Sequence, residues 1–272
     1  MMNSMTKLPA VPLLTGRQDL ILARAAGRRV LHLGCVDAGL LHERFARQEL
    51  MHQKLAAVAS ELWGVYIDEE GIQFLASQGF EHLLAGDICE PVVLAQLSGQ
   101  PFDLVLATEV IEHLPNPVQF LQAARQLLTP GQTELIITVP NAFRIQTLLW
   151  LLRGIEYVHP DHNYWFSYVT ATNLLRKSGL NVTEVFAYSF QPRAGLPNVA
   201  RRLLGRPAPA ALATAAAALP GAANGVSPHL FGRGLDYVRS LPKRLLASAL
   251  YRTTPFWGDG LILVAQAPAH AD

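Results

Sequence analysis

Two short segments concentrate the residue types able to do chemistry. Glu109-Val110-Ile111-Glu112-His113 carries two carboxylates and an imidazole at i, i+3 and i+4. On a helical turn that spacing puts all three on one face. The second segment, His159-Pro160-Asp161-His162-Asn163-Tyr164-Trp165-Phe166-Ser167, mixes imidazoles with aromatic rings. Oxygen and imidazole donors together suit Mg²⁺, Mn²⁺ or Zn²⁺. Glu109, Glu112, His113 and His162 therefore form a candidate metal set. Such an ion can chelate adjacent hydroxyls and lower the pKa of one, as it does for bound water. Without a metal, His113 and His162 are the general-base candidates, because imidazole titrates near neutrality. Glu112 completes the catalytic candidates. Structural readings stand beside these: His113 as a packing group, and the aromatics packed on a helix near Thr170 with Ser167 as its cap.

A second constellation lies at the ends of apolar runs. Val30-Leu31-His32-Leu33 runs into Gly34-Cys35-Val36-Asp37-Ala38-Gly39, Leu62–Ile67 ends at Asp68, and His82–Ala85 ends at Gly86-Asp87. A glycine turn admits close backbone approach of a ligand, and a carboxylate can accept two hydrogen bonds from a ribose diol. Each carboxylate has a plainer reading as a helix cap. A dinucleotide fingerprint needs three close glycines and an acidic residue about 20 positions on. Asp68 stands 34 positions past Gly34, so that pattern is not met.

The elements that must hold these residues alternate. Strands are expected at Arg29–Leu33, Leu62–Ile67, His82–Ala85, Asp103–Ala107, Glu134–Val139, Asn181–Tyr188 and Gly260–Ala265. Helices are expected from Leu40 to about Ser60, then at Glu70–Ser77, Pro91–Leu97, Pro117–Leu128, Ala142–Leu152 and Thr170–Lys177. Apolar strands alternating with amphipathic helices predict an α/β fold, a parallel sheet covered on both faces. In such sheets ligands bind outside the carboxyl ends of the strands, where Gly34, Asp68 and Asp87 fall.

The pieces LHLGC, GVYID, AGDI, FDLVLATEVIEHLPNP and ELIITVPNAF, in that order over about residues 28 to 190, resemble a class I S-adenosylmethionine-dependent methyltransferase. The likeness is to the type 11, ubiquinone-pathway kind, and to bacterial methyltransferases of polysaccharide clusters. It implies a Rossmann-like, doubly wound, mostly parallel seven-stranded sheet with a helical insertion before the last strand. It implies that Gly34, Cys35, Asp37 and Gly39 lie at the methionine end of S-adenosyl-L-methionine. Asp68 would then hold the ribose, Asp87 and Ile88 the adenine, and Thr108 and Glu109 the edge of that site. His32 stands where the family has Glu or Asp, and Val36-Asp37 replaces a second glycine. The E-x-x-E-H run is similar to that of ubiquinone-pathway O-methyltransferases. With the downstream His-x-x-His it resembles small-RNA 2′-O-methyltransferases, whose metal ligands match Glu109, Glu112, His113 and either His159 or His162. The resulting expectation is O-methylation of a sugar or glycan hydroxyl. The alternatives are a non-catalytic methyltransferase-like assembly subunit and an RNA 2′-O-methyltransferase.

Composition limits the rest. The 272 residues are 50% hydrophobic and 16% charged, with net charge +1, which argues against disorder and gives no global nucleic-acid footprint. Two cysteines exclude a disulfide framework and fit a reducing, cytoplasmic setting. Pro9 and Pro12 interrupt the early apolar piece, which argues against a signal peptide. Pro207 to Gly232 lacks charged side chains, but alanines and prolines make it a poor membrane span. The expected organisation is an N-terminal extension (1–27), a core (28–190 with 258–267), and a basic, Ala/Pro-rich helical insertion or lid (191–257). In 191–252 Asp236 is the only acidic residue against nine Lys and Arg. That excess suits a phosphorylated lipid-linked substrate or peripheral contact at the inner membrane face, or simple solubility. The Leu148–Leu152 cluster is a second membrane-facing candidate. The sequence does not set the oligomeric state.

Overall fold

The computed structural model describes residues 5–37, 39–190 and 249–269. The chain divides into two compact units, 1–190 with 255–272, and 191–254. The expected insertion or lid lies outside the described residues over 191–248.

The strands of the first unit are β1 (Leu13–Thr15), β2 (Arg29–Leu33), β3 (Glu61–Tyr66), β4 (Leu83–Ala85), β5 (Leu104–Thr108), β6 (Glu134–Pro140), β7 (Asn181–Ser189) and β8 (Gly260–Gln266). Its helices are α1 (Gln18–Ala25), α2 (Leu41–Ala46), α3 (Met51–Ala56), α4 (Glu69–Ser77), α5 (Pro91–Leu97), α6 (Pro117–Gln126), α7 (Ile145–Leu151) and α8 (Tyr168–Lys177). The sheet runs β1-β7-β8-β6-β5-β2-β3-β4, one strand more than expected. The extra strand is β1, from the segment read as an extension, and it pairs parallel with β7. Only β8 is antiparallel to its neighbours.

Side-chain alternation builds a core on each face. Leu31, Leu33, Val105, Ala107, Leu135 and Ile137 point to one side, with Leu97, Phe120, Leu121 and Leu175 from the helices. Val30, Leu104, Leu106, Ile136, Ile262 and Val264 point to the other, against Ile21, Ala25 and Leu55. Each fully buried aliphatic side chain contributes about 1.5–3 kcal/mol, so the continuous apolar strands are explained by two covered faces.

Local signals set the helix starts. Pro91 and Pro117 open α5 and α6, and Asn116 accepts the Gln119 N–H at 3.2 Å. Ser167 caps α8 in a reciprocal box with Thr170, as the packing reading anticipated. Two helices differ from expectation. The stretch from Leu40 to Ser60 is broken by Gln48 at φ 57°, giving α2 and α3. Helix α7 starts at Ile145, because Ala142 to Arg144 form a turn in which Asn141 accepts the Phe143 N–H.

The order of the strands places the site. β2 continues to β3 on one side, while β5 lies on its other side. The winding reverses between them, and such a switch point opens a crevice at the carboxyl ends. Gly34 follows β2 and Glu109 follows β5, so the two loops face each other across that crevice.

Candidate active site

The first loop comes close to the second. Gly34 has φ +81° and donates its N–H to the Val65 carbonyl at 2.9 Å. A Cβ here would stand 2.5 Å from Val110 Cγ2, so side chain and backbone conformation both demand glycine. Cys35 is buried, and burial pushes its thiol up to about 12, leaving a small neutral wall. Asp37 accepts from Arg44 Nη1 at 2.6 Å, and Gly39 takes φ +77° with open space around it.

The two strand-end carboxylates both cap local structure. Asp68 accepts the N–H groups of Glu70 and Gly71 at 3.1 and 3.2 Å, opening α4. Asp87 accepts the Cys89 N–H at 2.8 Å. A carboxylate has about four acceptor positions, so each keeps capacity for a ligand. Capping and ligand binding are compatible, and the caps fix both side chains at the crevice edge. Ile88 follows Asp87 with its side chain, 2% exposed, in the core around Val93 and Leu97.

The second loop is anchored by a buried polar network that the sequence did not announce. Glu109, just past Thr108, takes φ +53°, a conformation non-glycine residues rarely adopt. Its N–H donates to the Thr138 carbonyl at 3.0 Å, and its Oε1 accepts from the Thr138 hydroxyl at 2.8 Å. The Tyr188 hydroxyl donates to the same oxygen at 3.1 Å and accepts from Arg17 Nη1 at 3.2 Å. Arg17 also stands 3.7 Å from Glu109 Oε2, and its Nε is buried without a hydrogen-bond partner. Arg17 follows β1 and Tyr188 lies near the end of β7, so four parallel strands meet at this network. Gly260 leaves room for the Tyr188 ring. No motif could have found Arg17, because it precedes a helix in a segment without periodicity.

Glu112 is fully buried, and neither carboxylate oxygen has a hydrogen-bond partner within the protein. Burial, reinforced by the Glu109 charge, raises its pKa to about 8. Burial and the neighbouring charge thus favour its protonated form. Residues 109–113 form a turn rather than a helix, with the His113 N–H on the Val110 carbonyl.

The aromatic loop is tied to this turn. The Asn163 N–H donates to the Glu112 carbonyl at 2.8 Å, and Asn163 Nδ2 to the His113 carbonyl at 2.7 Å. The Tyr164 hydroxyl donates to the Pro115 carbonyl at 3.0 Å. These ties bring His113, His159 and His162 together, with one ligating atom of each within 4.8 Å of the others. Burial lowers the pKa of His113, and that of His162 to about 4, with neighbouring imidazoles adding to both. Among the described residues this trio is the one group with metal-ligand spacing, and it contains neither glutamate. The four-ligand set of Glu109, Glu112, His113 and His162 is therefore not assembled: Glu109 is turned to Thr138, Tyr188 and Arg17, and Glu112 is buried. Phe166 is buried and Trp165 half-buried, as packing residues would be.

A methyltransferase-domain family matches residues 13–185. The ubiquinone biosynthesis O-methyltransferase of Ruegeria pomeroyi is 28% identical over 184 residues, 61% of this chain and 65% of its own. That of Hahella chejuensis is 27% identical over 191 residues, 65% and 73%. The chain thus spans about 65% of the length of the former relative. Among solved structures, a SAM-dependent methyltransferase from Archaeoglobus fulgidus aligns over 92% of this chain and 95% of its own. Its identity is 18% and its TM-score 0.46, too distant a likeness to bear on function. The family match covers more than half of the sequence, including the glycine turn, both strand-end carboxylates and the Glu109 loop. By that match the chain belongs to the class I S-adenosylmethionine-dependent methyltransferase-domain family.

Proposed function

We propose that the protein transfers a methyl group from S-adenosyl-L-methionine to a hydroxyl oxygen of a small, lipid-linked acceptor. The observation that carries this reading is the crevice at the β2/β5 switch point, edged by Gly34, Asp68, Asp87 and Glu109. In it Asp68 accepts from the ribose hydroxyls and Asp87 from the adenine amino group. Gly34 and Cys35 flank the methionine portion. The half-buried Arg17 guanidinium, with its unpartnered Nε, serves the donor carboxylate.

The acceptor oxygen attacks the methyl carbon in line, and the C–S electron pair stays on sulfur as S-adenosylhomocysteine forms. The hydroxyl proton passes to a neutral imidazole, His113 or His162, whose lowered pKa keeps it unprotonated at neutral pH. Positioning of the two reactants supplies much of the acceleration.

The apolar tail is inferred from the segment beside the histidine loop. Phe143, Leu151, Leu152, Ile155 and Tyr157 are all exposed there, in the same stretch as Arg144 and Arg153. This segment supports peripheral contact with a membrane holding the acceptor. The sugar or glycan hydroxyl of a lipid-linked saccharide fits it. An acceptor of ubiquinone biosynthesis is the second reading, favoured by the names of the curated relatives. Incubation with labelled donor and each acceptor class tests the proposal. Label is expected in an alkali-stable methyl ether; label confined to nitrogen or carbon products would overturn it.

A further inference from the structure

We propose that His113, His159 and His162 form a binding site for a borderline transition-metal cation, foremost Zn²⁺, with both glutamates outside it. The three imidazoles come from two loops and already stand with ligating atoms within 4.8 Å of one another. On a tetrahedral ion with Zn–N bonds of about 2.0–2.1 Å, neighbouring nitrogens lie about 3.4 Å apart. Closing the trio thus needs inward shifts of about 1 Å, small for side chains. His159 is exposed, so its ring has the freedom to make that shift.

The backbone beneath the trio is already ordered. Asn163 ties the histidine loop to Glu112 and His113 through two hydrogen bonds of 2.8 and 2.7 Å, and the His162 N–H donates to the His159 carbonyl at 3.0 Å. An Asp161 oxygen stands 3.8 Å from His159 Nδ1 and supplies negative charge beside a bound cation. The Asp161 N–H also contacts that nitrogen, at 3.3 Å.

The donor set determines the ion. Three imidazoles favour Zn²⁺, Co²⁺, Ni²⁺ or Cu²⁺, while Mg²⁺ requires oxygen ligands. Three protein ligands on a tetrahedral ion leave one position open, the pattern of catalytic rather than structural zinc. The trio starts three residues beyond Val110, whose side chain packs against Gly34, so it stands on the loop that edges the crevice. An acceptor hydroxyl bound there would be acidified by the ion, which replaces the imidazole as the agent easing proton loss. This last point rests on the O-methyltransfer reading; the site itself does not.

The test uses tag-free, chelator-stripped full-length protein titrated with Zn²⁺ against a chromophoric chelator, and with Co²⁺ by visible absorption. One ion per chain is expected, with a Co²⁺ spectrum of tetrahedral intensity and no competition from Mg²⁺. His159→Ala and His162→Ala should each weaken Zn²⁺ binding by about tenfold or more, since even outer-shell changes cost about 10–100-fold. His42→Ala, at an exposed histidine elsewhere, should not. Affinity unchanged in both site variants, or less than half an ion per chain in folded protein, would overturn the site. S-adenosylhomocysteine binding measured on the same samples separates this outcome from a failure of the donor reading.

Discussion

Gly34 and Val110 hold the two loops of the crevice in contact, and a single methyl group tests how tightly. Gly34→Ala meets Val110 Cγ2 at 2.5 Å and forces alanine into φ +81°. The conformational part costs about 1–2 kcal/mol, and the clash adds to it. Adding Val110→Ala should remove the clash part and leave the conformational part. Chemical denaturation of the two single variants and the double variant reads this directly. Full recovery in the double variant would show that the backbone conformation carries no strain. At this scale the sequence was informative where the side chain's job is local. Gly34, Asp68 and Asp87 sit where their types and strand-end positions put them. The side chain of Ile88 turns into the core, which its position after a carboxylate does not announce. The burial of Glu112 was not legible, because a carboxylate in a polar motif gives no sign of it.

The packing of α3 on β2 brings His32 and His52 together in the core, Nδ1 to Nδ1 at 3.3 Å, both Nε2 atoms unpartnered. Burial lowers both pKa values, with that of His52 falling to about 4. The unfolded chain therefore binds protons that the native state refuses. Stability is fully present above about pH 6.5 and is lost as the pH falls toward the folded values. The slope is at most about 1.4 kcal/mol per pH unit for each group. Urea unfolding at about pH 7.5 and about pH 5, either side of the ordinary imidazole range, should show this loss. A His32→Leu/His52→Leu variant should make it shallower by their share, leaving the contributions of His113, His162 and Glu112. An equally steep dependence in the variant would assign the acid sensitivity elsewhere. Long elements with strong signals were legible: the strands of the sheet centre and the proline-opened helices match closely. The three-residue β1 was not, because its stability comes from the β7 edge rather than from its own pattern. Nor was the break at Gln48, which has no glycine or proline to mark it.

Across the first unit, the sheet order gathers residues distant in sequence at one carboxyl edge. Arg17, Gly34, Asp68, Asp87, Glu109, Thr138 and Tyr188 come from seven parallel strands or the turns that succeed them. The histidine loop is docked beside them by Asn163 and Tyr164. Sequence periodicity foretold that edge, since strand ends are countable. It could not foretell the Arg17–Tyr188–Glu109 network, which depends on β1 and β7 lying where the chain winds back. Among the described residues no helix is long and apolar enough to cross a membrane. Among the described residues much of the apolar content lies on two covered sheet faces, and Leu151 and Leu152 are among the large apolar side chains left exposed. The central claim is that this edge binds the methyl donor. Calorimetric titration of the folded, full-length protein with S-adenosylhomocysteine tests it most directly. One site per chain is expected, weakened by about tenfold or more in Asp68→Ala, whose lost ribose hydrogen bonds to a charged group contribute about 1.5–3 kcal/mol. Folded protein that binds no S-adenosylhomocysteine, or that binds it equally well after Asp68→Ala, would contradict the claim.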